Sequence, residues 1–219
     1  MNSSIKKWES VYFKDQEDLY RNFYIRLIFD AGHRFISREG GNIMGKVLDL
    51  GAGVGYHLNF EKISKKRKYI CLDSDSKKLQ RIKNENVIKL CASCEKIPLK
   101  ANSVDLVIAS HILEHIDKLE RCLSEIKRVL KKKGILIVVL PCDPGLLWRM
   151  LALFSPSRRR LKRLGISYDE VMKHEHVNSV KYCIKNLNNE FKPVKEKFFP
   201  FIIHSTNLNI WAGLVYENC

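Results

Sequence analysis

The stretch Val47-Leu48-Asp49-Leu50-Gly51-Ala52-Gly53-Val54-Gly55-Tyr56-His57 decides the fold. Its first four residues read as a short buried strand, and its glycines as a turn leading into a helix over Leu58 to Ser64. Glycine in such a turn permits positive φ and leaves no Cβ between the backbone and a ligand. The loop alone is equally an ordinary strand-to-helix turn, and dinucleotide-binding enzymes use a similar one. Here the spacing is Gly51-x-Gly53-x-Gly55, with Tyr56 where G-x-G-x-x-G requires its third glycine, and Asp49 is atypical of a dinucleotide fold.

Downstream, short apolar runs alternate with helical stretches. Tyr69 to Leu72 is a second strand ending at Asp73, and the chain is helical again after Ser76. Val87 to Leu90 and Asp105 to Ala109 are the third and fourth strands. Asp117 to Lys132 carries Leu119, Cys122, Leu123, Ile126, Val129 and Leu130 on one helical face. Gly134 stops that helix, and Ile135 to Leu140 is the fifth strand, ending at Pro141. Near-continuous apolar strands alternating with helices indicate a parallel sheet covered on both faces.

Before this core, Trp8, Val11, Tyr12, Leu19, Phe23, Leu27 and Ile28 recur as on one face of two amphipathic helices, until Gly40-Gly41 breaks the pattern. After it, residues 143–180 hold an apolar piece (Gly145 to Phe154), a basic run from Arg158 to Arg163, and a polar stretch with His174-Glu175-His176. Val180 to Phe191 reads as helix. Val194 to Ile203 and Leu208 to Tyr216 read as an antiparallel hairpin around His204-Ser205-Thr206-Asn207. The expected fold is α/β, a Rossmann-like, doubly wound, mostly parallel seven-stranded sheet closed by that hairpin. Its expected parts are a helical cap (1–42), a cofactor-binding core (43–142), a lid (143–192) and the hairpin (193–219).

Composition bounds the function. The chain has 219 residues, of which 45% are hydrophobic and 29% charged. It is therefore neither disordered nor collagen-like, and long enough to bury roughly 70% of its unfolded surface without disulfides or a structural metal. The longest apolar run, Ile135 to Leu140, is far short of a bilayer span, and no signal peptide is read after Met1. The 39 basic against 24 acidic residues give a net charge of +15, which favours an anionic partner: nucleic acid, an acidic membrane surface or a phosphorylated substrate. Seven cysteines, an odd number, fit reduced thiols and a cytoplasmic location, with peripheral membrane contact left open.

Asp73, at the end of the second strand, is placed to accept both hydroxyls of a ribose. With it, VLDLGAGVGYH, CLDSDSKKL, CEKIPLKANSVDLVIASHILEHI and LSEIKRVLKKKGILIVVLP resemble, in order, the motifs of class I S-adenosylmethionine-dependent methyltransferases. The resemblance runs from about Lys46 to Pro141 and is nearest the group that methylates small molecules and lipids, quinone-biosynthesis enzymes included. It implies S-adenosyl-L-methionine as cofactor and a small-molecule, lipid-linked or glycan-precursor acceptor. Asp49 and the Gly51, Ala52, Gly53 and Gly55 backbone would lie against the methionine part. Asp73 would hold the ribose hydroxyls, with Ser74 against the adenosine. Ser93 stands where the family often has an adenine-binding aspartate; a serine offers a weaker hydrogen bond than a charged acceptor. Cys94 would offer its N–H to the ring, and Ser110 and His111 would lie beside the sulfonium.

Methyl transfer of this kind needs acceptor, methyl and sulfur in line and water excluded; an oxygen acceptor also needs a base. His115 is the candidate base near the site, and His174 and His176 are candidates on the lid, against the alternatives of a capping histidine and a solvated loop. His111-x-x-Glu114-His115 also matches the ligand order of an inverted zinc protease. That geometry needs a stable helix and a third ligand, so no metal is expected. Cys91-x-x-Cys94 lacks a second pair and reads as core thiols. Residues 146–163 present an apolar helix followed by arginines, a membrane-surface pattern or a core helix with a solvated end. Lys131-Lys132-Lys133 reads as a solvated helix C-terminus. An RNA methyltransferase is a second reading, prompted by the charge, but the fourth strand ends in Ala109-Ser110-His111-Ile112 rather than Asn/Asp-Pro-Pro-aromatic. A non-catalytic scaffold is a third, and a nicotinamide dehydrogenase fails on loop spacing. Oligomeric state is not legible.

Overall fold

The computed structural model describes Trp8, residues 23–64 and residues 66–219. A seven-stranded sheet runs in the order β3-β2-β1-β4-β5-β7-β6. Its members are β1 (Gly45–Leu50), β2 (Arg67–Asp73), β3 (Val87–Cys91), β4 (Val104–Ser110), β5 (Leu130–Pro141), β6 (Lys192–Phe199) and β7 (Trp211–Glu217). The first five are parallel; β7 runs antiparallel to both β5 and β6. The mostly parallel sheet with a C-terminal antiparallel hairpin is the fold that the sequence predicts.

Period-two alternation sorts the core into two layers. Leu48, Leu50, Val107 and Ala109 face α3 (Leu119–Val129) and α7 (Val180–Glu190), whose Cys122, Leu123, Ile126, Cys183 and Leu187 are fully buried. Val47, Leu106 and Ile108 face the other way, toward α1 (Phe23–Gly40) and α2 (Ser76–Gln80). Gly213 on β7 makes room for α1: a Cβ there would stand 2.6 Å from the Phe35 ring. Three further helices, α4 (Leu146–Leu153), α5 (Pro156–Arg163) and α6 (Tyr168–Glu175), follow β5. Leu161, Ile166 and Val171 form a small separate core with Trp8.

Several sequence-based boundaries are corrected. Phe23 and Leu27 are exposed, because α1 buries its face only further along, through His33, Phe35 and Ile36; Val11, Tyr12 and Leu19 lie outside the described residues. The predicted helix over Leu58 to Ser64 is a single 3-10 turn, Tyr56–Phe60, since Ser64 bridges back to Arg67 at the start of β2. Helix α3 ends at Val129 rather than Lys132, because Leu130 is fully buried in register with Val104. Lys131 to Lys133 therefore belong to a strand: Lys131 pairs with Asp105 at 2.7 Å and Lys133 adopts a φ of 61°. β6 stops at Phe199, and the side chain of Asn209 gathers the following loop by bonds to Phe201, Ile203 and Ser205. All seven cysteines are free, but Cys91 is exposed and is no core thiol.

Candidate active site

The carboxyl ends of β1, β2 and β4 meet at a cleft of about 180 Å³ lined by Gly51, Asp73, Ser74, Ser93, Cys94 and His115 among others. A crevice at the carboxyl ends where strand order reverses is where open α/β sheets bind ligands. Gly51, Gly53 and Gly55 all adopt positive φ, at 70°, 55° and 77°. A Cβ on Gly51 would stand 2.6 Å from Ile112, so the loop is pressed against the next motif. A Cβ on Gly53 would meet nothing within 4 Å: the backbone is bare toward open space.

Asp73 is the polar pivot of the cleft. Its two oxygens accept from the Gly53 N–H and the Asp75 N–H, each at 2.9 Å. Each oxygen keeps a lone pair for a further donor, which is the chemistry a vicinal diol needs. Ser93 Oγ accepts from the Glu95 N–H at 3.1 Å. Asp49 is only 2% exposed and accepts from the Tyr69 hydroxyl at 3.1 Å. It does not line the cleft; burial, opposed by His57 and the Tyr69 bond, pushes its carboxyl up to about 6. Ala52 closes the loop by donating to Leu72. The glycine cradle and the doubly held Asp73 fit a nucleoside with a charged, flexible tail.

A polar cluster borders the cleft beside His115. Glu114 is 3% exposed, with Oε1 3.8 Å from both His111 Nδ1 and His115 Nε2. His115 Nδ1 donates to the Glu175 carbonyl at 2.6 Å, and His176 Nδ1 to the Asp143 carboxylate at 2.8 Å. The His115 and His176 rings lie 5.0 Å apart. Burial pushes Glu114 up to about 7, and burial with neighbouring imidazoles pulls His111 down to about 3 and His115 to about 4. Asn178 clamps this turn, its amide donating to the Leu113 and Ile116 carbonyls at 3.0 and 2.6 Å.

The structure thus gathers His115 and His176 but not His174, whose exposed ring packs edge-on against Trp8. Ser110 ends β4 and His111 follows it at a φ of 51°; Ser110 Oγ and His111 Nε2 are buried without a hydrogen-bond partner, and neither residue lines the cleft. Asp143 is absent from the sequence reading; Asn178 enters it only through the polar stretch after α5, and Glu114 only through the His-x-x-Glu-His order. The density of polar groups at 174–178 was the one available signal for Asn178; nothing marked Asp143.

Residues 48–138 match the sequence profile of the family described as methyltransferase domain. An uncharacterized protein of Methanocaldococcus jannaschii is 37% identical over 134 residues, 61% of this chain and 57% of that protein. A malonyl-[acyl-carrier protein] O-methyltransferase of Hamiltonella defensa is 26% identical over 151 residues, 68% of this chain and 52% of that enzyme. The chain thus spans about half the length of the curated relatives it matches. Among solved structures, a SAM-dependent methyltransferase from Archaeoglobus fulgidus superposes with a TM-score of 0.68 at 18% identity, covering 94% of this chain and 99% of that one. The glycine-loop segment, the strand order and these matches agree: residues 48–138 match the methyltransferase-domain family, in a fold shared with solved S-adenosylmethionine-dependent methyltransferases.

Proposed function

We propose that the protein transfers a methyl group from S-adenosylmethionine to a small-molecule or lipid-linked acceptor, glycan precursors included. The observation that carries this reading is Asp73, fixed by the amides of Gly53 and Asp75 and facing a cleft that Gly51 of the glycine loop also lines. When bound, S-adenosylmethionine supplies an electrophilic methyl for in-line displacement. In this reading Asp73 holds the ribose hydroxyls and Ser74 the adenosine, while Ser93 and Cys94 meet the adenine. The Gly51–Gly55 backbone takes the methionine tail, with Asp49 beneath it contributing charge. Ser110 and His111 sit beside the reacting sulfur, and His115 and His176 hold the acceptor on the lid side. The lid, residues 143–192, excludes water, as a positioning mechanism requires.

A lipid-linked acceptor is favoured by the surface beside the cleft. Leu146, Met150, Leu153 and Phe154 on and after α4 are exposed, as are Phe201, Ile202 and Ile203 in the β6–β7 loop. The two segments are tied by the Leu147 N–H donating to the Asn207 carbonyl at 2.9 Å, and both lie at the carboxyl end of β5. Exposed Arg159, Lys162 and Arg163 on α5 supply the cationic rim that an anionic membrane surface attracts. Among the described residues no helix is long and apolar enough to cross a membrane, so this contact is peripheral.

The test is methyl transfer from labelled S-adenosylmethionine to a panel of lipid extracts, glycan precursors, quinol precursors and RNA. Label in an organic-soluble or small-molecule fraction, lost in Asp73→Ala, is the expected result. Label confined to RNA contradicts the acceptor class.

A further inference from the structure

We propose that Glu114, His115 and His176 bind a divalent transition-metal ion at the edge of the cofactor cleft. One ligand atom from each lies within 4.8 Å of the other two. The hydrogen bonds around the histidines leave those atoms in the right form. A carbonyl can only accept, so His115 Nδ1 carries its proton toward Glu175 and Nε2 keeps a lone pair in the neutral ring. His176 Nδ1 likewise faces the Asp143 carboxylate, which frees Nε2. An imidazole anchored through one nitrogen by a carbonyl or carboxylate, with the other nitrogen turned inward, is the outer-shell arrangement of metal-bound histidine.

The third ligand points the same way. Glu114 is 3% exposed and its Oε2 has no hydrogen-bond partner. A buried carboxylate oxygen left unpaired is costly, and a cation would satisfy it. Two imidazoles and one carboxylate form a mixed nitrogen–oxygen set that suits Zn²⁺, Co²⁺, Fe²⁺ or Mn²⁺. Mg²⁺ and Ca²⁺ prefer all-oxygen sites. The His-x-x-Glu-His order lacked a third ligand in the sequence; the fold brings His176 from the end of α6. His111 is not in the set: its ring lies edge-on to Phe29, 4.9 Å between centroids. Because His115 also lines the cleft, positions left open on the ion face an acceptor bearing oxygen ligands such as a diol, carboxylate or phosphate.

The test uses the untagged chain stripped with a chelator and titrated with Co²⁺, then Zn²⁺, without any cofactor. The expected result is one Co²⁺ per chain with visible d–d absorption, displaced by Zn²⁺, and a Zn²⁺-dependent rise in melting temperature. Glu114→Gln and His176→Gln should each weaken Co²⁺ binding by at least roughly 100-fold, and Asp143→Asn by about 10-fold through its hold on His176. As a readout that needs no variant, Cu²⁺ bound to the wild-type protein should show electron-paramagnetic coupling to two ring nitrogens. No stoichiometric binding, binding unchanged in Glu114→Gln and His176→Gln, or a Cu²⁺ spectrum without ring nitrogens would overturn the proposal. Because none of these measurements involves methyl transfer, their failure leaves the methyltransferase reading standing, and the reverse holds too.

Discussion

The backbone N–H of Gly53 donates to the Asp73 carboxylate across 2.9 Å, tying the turn after β1 to the end of β2. The contact makes one acidic side chain both the organiser of the glycine loop and a charged acceptor facing the cleft. Replacing it therefore has two consequences that separate by choice of variant. Asp73→Ala should lower S-adenosylhomocysteine affinity roughly 100-fold, the worth of one or two charge-assisted hydrogen bonds. Asp73→Asn keeps one acceptor for Gly53 and should lose less affinity while melting close to the wild type. Equal losses in the two variants would show that the charge is irrelevant and the loop geometry is everything.

Gly51 and Gly53 should fail differently. Gly51→Ala drives a methyl to within 2.6 Å of Ile112 at a φ of 70°, so it should destabilise the fold by about 2 kcal/mol in urea unfolding. Gly53→Ala meets nothing within 4 Å and should lose only about 1 kcal/mol, from its φ of 55°. Its methyl points into open space on the residue whose N–H holds Asp73, so cofactor affinity should fall more than stability does. Calorimetry beside urea melts distinguishes the two; a Gly53→Ala protein with full affinity would contradict the cradle.

Asp49 sets a pH dependence with a definite sign. Its folded carboxyl is raised to about 6 from an ordinary 3.8, so between those values the folded state holds the proton more tightly than the unfolded chain. Stability from this group is thus present at low pH and lost as pH rises through about 6. Asp49→Asn, which still accepts from Tyr69, lacks the penalty and should be more stable than wild type above pH 6, by at most about 3 kcal/mol. Below about pH 4 the two should converge. A difference that does not change with pH would refute the buried ionised carboxylate.

Asn178 holds the turn that carries Glu114 and His115. Asn178→Ala removes the donors to the buried Leu113 carbonyl and the half-buried Ile116 carbonyl and should cost about 2 kcal/mol of stability. It should also raise the KM for the acceptor more than that for the cofactor, because the turn borders the lid. Equal effects on both would assign Asn178 to the fold alone.

The proposed membrane contact predicts that the protein cosediments with vesicles containing phosphatidylserine and not with neutral ones, in a salt-sensitive manner. Ile202→Asp, at a residue 91% exposed, should weaken the association without altering the melting temperature. Equal binding to neutral vesicles would remove the cationic rim from the account.

Much of this was legible in sequence because parallel strands buried on both faces leave continuous apolar runs: β1, β2, β4 and β5 could be read from Val47, Tyr69, Leu106 and Ile135 onward. The glycines and Asp73 were legible because their chemistry depends on local geometry. What the sequence hid depends on tertiary partners. Leu130 extends the apolar pattern of α3, yet pairing with Val104 makes it a strand residue. His174 and His176 look equivalent in the chain, and only the packing of α6 turns one toward Trp8 and the other toward Asp143. Glu114 was visible as a letter in a motif; its burial and its unpaired oxygen exist only in the fold.

The central claim, that this cleft binds S-adenosylmethionine through Asp73, is tested most directly by calorimetric titration of the full chain with S-adenosylhomocysteine, with NADH as control. The account predicts micromolar binding of S-adenosylhomocysteine, no heat with NADH, and loss of binding in a folded Asp73→Ala protein. Binding of NADH in its place, or unchanged affinity in the variant, would contradict it.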